Sequence, residues 1–108
     1  MEILDYATAG GKNLILEYID NLPSTERMQL YELRSEIRET GLEAVEKLNT
    51  RQLKGKLWEI KVSQNRIMYV ILDCDRVVFL HICKKQKGKA EKQELNKAIN
   101  RGRREGII

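Results

Sequence analysis

Three β-prone runs dominate the second half of the chain, at about Leu57–Val62, Arg66–Leu72 and Arg76–Cys83. In the first, Trp58, Ile60 and Val62 alternate onto one face, which leaves Glu59 and Lys61 on the other, where solvent or a ligand would sit. The links "SQN" and "DCD" are short and polar, so the runs predict an antiparallel meander.

The first half is patterned differently. A β-prone start from Ile3 to Tyr6 leads into Leu14, Ile15, Tyr18, Ile19 and Leu22, which recur at helical spacing. That helix stops at "NLPS", because Pro23 disfavours helical geometry in the residue before it. Ser24 is placed to cap a second helix, with Glu26 in its first turn and Leu30, Leu33 and Ile37 as its buried stripe. Glu32, Arg34, Glu36, Arg38 and Glu39 then form its wet faces, and Gly41 ends it. So short a link predicts an antiparallel helical hairpin.

"LEAVEKLNTRQLKGK" reads as amphipathic at first and loop-like around Gly55. The charged segment "KGKAEKQELNKAINRGRR" predicts a last helix with a narrow stripe of Leu95, Ala98 and Ile99, docked only weakly. The expected fold class is α+β: an N-terminal helical hairpin packed on one face of a small, mostly antiparallel sheet, with a C-terminal helix.

Length and composition narrow this further. With 108 residues, 42% hydrophobic and 33% charged, the chain predicts a single folded domain spanning residues 1–108. No apolar run approaches the ~20 residues of a membrane span, and "MEILDYATAGG" lacks the features of a signal peptide, so a cytoplasmic protein with no membrane association is expected. Cys74 and Cys83 are then expected as free thiols, and one histidine offers too little for a zinc site; neither metal nor cofactor is expected.

Charge is divided unevenly. Residues 1–50 hold five Lys/Arg against ten Asp/Glu, and residues 51–108 hold fifteen against six. A net −5 beside a net +9 points to a polyanion on one side of the molecule and a basic partner on the other.

Candidate chemistry therefore rests on cations. The chain has no Gly-rich phosphate loop, Cys–His pair or clustered carboxylates, and His81, inside "VVFLHIC", reads as structural rather than catalytic. Lys61 and Arg66 stand on adjoining strands, Lys84, Lys85 and Lys87 extend from the last, and Arg51, Lys54 and Lys56 stand at the entrance to the first. A meander would gather such positions into one concave basic surface, whose mutual repulsion lowers lysine pKa values until a polyanion relieves it. The competing reading is an ordinary charged strand face. Trp58 reads as core.

"KLNTRQLKGKLWEIKV…NRIMYVILDCDRVVFLHICKKQKGKAEKQELNKAINR" resembles the RelE/ParE superfamily of bacterial toxins, and most of all its phage-derived, HigB-like branch. The resemblance is carried by Leu53 to Val62, by Arg66 to Tyr69 and by His81 to Lys85, followed by a Lys/Glu-rich helix. It departs at Cys83, where an aromatic is common, at Glu59, where RelE has a second lysine, and in lacking a late tyrosine and the usual Thr-Pro before the last helix. The resemblance implies the toxin of a type II toxin–antitoxin pair, a ribosome-dependent mRNA endoribonuclease that needs no metal. It implies Lys61 as general base, Arg66 as transition-state stabiliser and Lys85 as a contact to the scissile phosphate. Arg51, Lys54, Lys56, Lys84 and Lys87 are expected to bind RNA. The implied partners are a cognate antitoxin of helix-turn-helix, HigA-like type, held in a hetero-oligomer, and the ribosome with its mRNA. The alternative within the superfamily is a non-catalytic ParE-like toxin that binds DNA gyrase, a class that does not keep the basic set.

Overall fold

A computed structural model describes residues 1–85 and 87–108. The chain runs β1 (Glu2–Asp5), α1 (Leu14–Asp20), α2 (Ser24–Thr40), α3 (Leu42–Glu46), β2 (Thr50–Lys54), β3 (Leu57–Val62), β4 (Asn65–Asp73), β5 (Arg76–Lys84) and α4 (Lys89–Arg104). The strands form one sheet in the order β1-β5-β4-β3-β2. β2 through β5 pair antiparallel as the meander predicts, whereas β1 returns beside β5 in parallel, with Glu2 opposite Arg76 and Asp5 opposite Phe79. Among the described residues, no helix is long and apolar enough to cross a membrane.

The α+β class holds, but the sheet is covered on both faces rather than one. Ile15, Ile19, Leu30 and Ile37 from α1 and α2 pack on Ile60, Ile67, Tyr69 and Phe79. On the opposite face, Leu57, Met68, Val70 and Leu80 meet Ala98 and Ile99 of α4. The docking of α4 is therefore firm, since both of those residues are buried. Two-sided burial explains why β4 and β5 read as nearly continuous apolar runs instead of alternating cleanly.

Other expectations need correction. Ser24 is the first helical residue of α2 and caps nothing; Pro23 precedes it, suited to a helix start by its fixed φ. A side-chain cap does occur on α1, where Asn13 Oδ1 accepts from the Leu16 amide at 2.9 Å. β2 forms where the pattern predicts loop, because an edge strand with the exposure pattern of "TRQLK" carries little apolar periodicity.

Arg34, placed by its spacing on a wet face, is only 2% exposed. Its guanidinium donates to both carboxylate oxygens of Asp5 at 2.7 Å, and Asn13 Nδ2 donates to the same carboxylate at 3.1 Å. This fork clamps α2 onto β1.

Candidate active site

The β3–β4 hairpin places Lys61 directly opposite Arg66, and β5 places Cys83 opposite Arg66 and Lys84 opposite Asn65. The three strand ends converge beside the Asn49 loop, where the Lys61 amide donates to the Asn49 carbonyl at 2.9 Å and the Lys85 amide to that of Gln64 at 2.8 Å. Between them lies a cleft of about 320 Å³ lined by Asn49, Lys61, Ser63, Asn65, Arg66 and Lys85. Lys61, Arg66 and Lys85 thus share one polar cavity that has no carboxylate among its lining residues. Lys61 and Lys85 have no ion-pair partner among the described residues.

Partly buried hydrogen bonds hold the cleft wall. Asn65 is 1% exposed; its Nδ2 donates to Glu26 Oε1 at 3.1 Å, and the Tyr18 hydroxyl donates to its Oδ1 at 2.7 Å. Burial pushes the Tyr18 phenol up to about 12, so it stays a donor at neutral pH. The turn beside it puts Ser63 at φ 58°, a left-handed conformation that costs a non-glycine residue about 1–2 kcal/mol.

Arg66 is not the solvent-facing side chain that its strand-opening position suggests. It is 6% exposed and lies beneath the first turn of α4, with Nη1 3.0 Å from Glu91 and 3.6 Å from Glu59. Arg51, on β2, reaches the same two carboxylates, at 3.2 Å from Glu59 and 3.3 Å from Glu91. Two guanidiniums therefore face two carboxylates. Hydrogen bonds from Arg66 and then from Arg51 hold the Glu91 carboxyl below its usual range.

Glu59, which strand alternation places on a solvent face, is fully buried. Neither of its oxygens accepts a well-aligned hydrogen bond, so its charge is compensated Coulombically by the two arginines.

The remaining predicted cations are dispersed. Lys84 turns to Glu26 at 3.1 Å, and Lys87 is exposed ahead of α4. Lys54 and Lys56 flank the β2–β3 turn, about 17 Å along β3 from Lys61 at ~3.3 Å per residue. They are not brought to the cleft. Trp58, expected in the core, is 37% exposed near the open β2 edge.

Sequence reasoning missed Asn49, Ser63 and Asn65 as lining residues, and Glu91 as the group that covers Arg66. "SQN" is legible as a turn, yet nothing in it marks which side chains point into a cleft.

His81 lies under α4, away from the cleft lining. Arg101 Nη1 donates to His81 Nδ1 at 3.0 Å, so the neutral ring carries its proton on Nε2 and donates to Glu94. Burial, together with the Arg101 charge, lowers the His81 pKa.

A Cys–His pair, not expected from the sequence, does form, because β5 and α4 bring the ring nitrogen of His81, the thiol of Cys83 and the carboxylate of Glu94 within 4.8 Å of one another. A metal on Nε2 would force a proton onto Nδ1, against the Arg101 N–H donor, which argues against ligation there. Burial also pushes the Cys83 thiol up to about 11, so it stays protonated. The trio reads as a polar latch between β5 and α4.

A family model described as phage derived protein Gp49-like matches residues 17–103. No curated protein matches the chain.

Proposed function

Since the chain belongs to the phage-derived Gp49-like family, a toxin-like family of toxin–antitoxin systems, we propose that it is the toxin of such a pair and cleaves mRNA on the ribosome in the manner of RelE and HigB. The observation that carries this reading is the convergence of Lys61, Arg66 and Lys85 on one cleft without a carboxylate in its lining. That arrangement suits a phosphodiester with a developing oxyanion.

In the proposed reaction the Lys61 amine takes the proton of a ribose 2′-OH, and the 2′ oxygen bonds to the adjacent phosphorus. The bond from phosphorus to the 5′ oxygen breaks, leaving a 2′,3′-cyclic phosphate and a 5′-OH whose proton comes from water, and the Lys61 ammonium then returns its proton to solvent. Arg66 and Lys85 carry the charge that builds on the phosphoryl oxygens. This chemistry needs no metal, because the cations supply the stabilisation. The proposed setting is the cytoplasm. The proposed partner is a helix-turn-helix antitoxin, and the acidic outer faces of α2 and α3, with Glu32, Glu36, Glu43 and Glu46, offer a surface to a basic segment of it.

The test is to induce the protein and map mRNA 5′ ends, followed by single-turnover cleavage on programmed ribosomes. New 5′-OH ends within translated frames support the reading. Growth arrest with intact mRNA and inhibited gyrase supercoiling overturns it in favour of the ParE-like alternative.

Glu91 has a consequence for this site. Its carboxylate occupies the position on Arg66 and Arg51 that a phosphate would take, so RNA must displace the first turn of α4 or its acid. Glu91 is partly exposed, so the competition is modest. Glu91→Gln should tighten binding of a single-stranded RNA roughly 2–5-fold, measured by fluorescence anisotropy. Unchanged or weaker binding would show that Glu91 does not compete.

A further inference from the structure

One flank of α4, beside its apolar stripe, presents Lys97, Asn100, Arg101 and Arg104, spaced i, i+3, i+4, i+7. With Tyr6 and Thr8 of the loop that follows β1, these side chains line a second cavity of about 350 Å³. None of its lining residues is acidic. Arg101 and Arg104 have no carboxylate within 4 Å among the described residues, while Lys97 lies 3.6 Å from Glu94, which also engages His81.

Cations in the last turns of a helix also offset its macrodipole, and that alone would account for exposed ones. Arg101 is held more closely than this requires. Its Nη1 donates to the Leu80 carbonyl at 3.0 Å and to His81 Nδ1 at 3.0 Å, and its guanidinium lies 4.8 Å from the centre of the Tyr6 ring. Arg104 donates to the Tyr6 hydroxyl at 2.8 Å. Two guanidinium groups are thus oriented by neutral acceptors, and Lys97 lines the same cavity. Burial lowers the Arg101 pKa, a destabilisation of the charged form that an anion in the cavity would relieve.

We propose that this cavity is a second anion site, which takes a phosphate of an RNA backbone. Fixed guanidinium forks match phosphate oxygens in geometry as well as charge, and Asn100, Thr8 and Lys97 add further donors. The cavity and the Arg66 cleft sit toward opposite ends of α4. Glu91 and Arg101 are separated by ten positions, about 15 Å along the helix at ~1.5 Å per residue, which a single strand spans within a few nucleotides. The inference rests on the RNA-cleaving reading only for the carrier of the phosphate; the anion site stands on its own geometry.

The test uses the full chain. Inorganic phosphate is titrated while the amide signals of Thr8, Ala9 and Asn100 are followed by NMR, in the wild type and in Lys97→Gln and Arg104→Gln. Saturable shifts that weaken in both variants are expected. Single-stranded RNA binding is then measured against salt, and the log–log slope should fall by about 0.7 for each phosphate that a variant no longer neutralises, additively with Lys85→Gln in the cleft. No saturable shift, or an unchanged slope in both variants, overturns the proposal. A Glu-rich peptide that shifts the same amides at lower concentration than an RNA oligonucleotide would assign the cavity to an acidic protein segment and overturn it too. Failure of the nuclease reading shows separately, as cleavage unaffected by cleft substitutions while phosphate still binds here.

Discussion

Arg66→Ala should lower single-turnover cleavage by roughly 10²–10³-fold, the loss seen when one preorganised oxyanion donor is removed. A solvent-exposed arginine could be removed with little effect on folding, but this one is 6% exposed and compensates Glu59, which is fully buried. Its loss leaves Glu59 paired with Arg51 alone, and stability should fall by about 1–3 kcal/mol. The two effects separate in Arg66→Lys. A lysine keeps positive charge near Glu59 and Glu91 but loses the planar fork. It should retain most of the stability and little of the cleavage. Urea midpoints and cleavage rates for both variants decide the matter: a folded Arg66→Lys or Arg66→Ala protein that cuts at the wild-type rate removes Arg66 from the mechanism.

The largest effect on stability is expected at the clamp between β1 and α2. Asp5→Ala strands the Arg34 guanidinium, whose side chain is only 3% exposed, without its bidentate partner. Arg34 Nε already lacks a partner, and Asp5 is the side chain to which Nη1 and Nη2 donate. Breaking a buried pair on one side typically costs about 3–5 kcal/mol. In a domain of this size that lowers Tm by roughly 15–30 °C, measurable by calorimetry or circular dichroism. The double variant Asp5→Leu, Arg34→Met removes both charges and should recover most of the loss. If Asp5→Ala melts within a few degrees of the wild type, the clamp is not what holds α2 to the sheet. None of the cleft-lining residues takes part in the hydrogen bonds of this pair, so cleavage by the folded fraction should persist.

Read by itself, the sequence determined the α+β class, the two N-terminal helices and the three-strand meander to within about a residue or two at each end; it gathered eight cations into one expected surface, of which the fold brings only Lys61, Arg66 and Lys85 to one cleft. Period-2 and period-3.6 patterns and short polar turns are local signals, and a hairpin link as short as "SQN" fixes which residues on its two strands face each other. Only the tertiary structure decided the rest. That α4 closes the second face of the sheet depends on Leu57, Met68, Val70 and Leu80, whose partners lie some 18 to 42 positions along the chain. That Arg34 and Glu59 are buried depends on Asp5, Arg51 and Arg66, each placed on a different element, so a charged residue on a polar helical or strand face became a core group through distant compensation. The parallel return of β1 to β5 likewise joins residues more than seventy positions apart, and no periodicity within either strand records its neighbour.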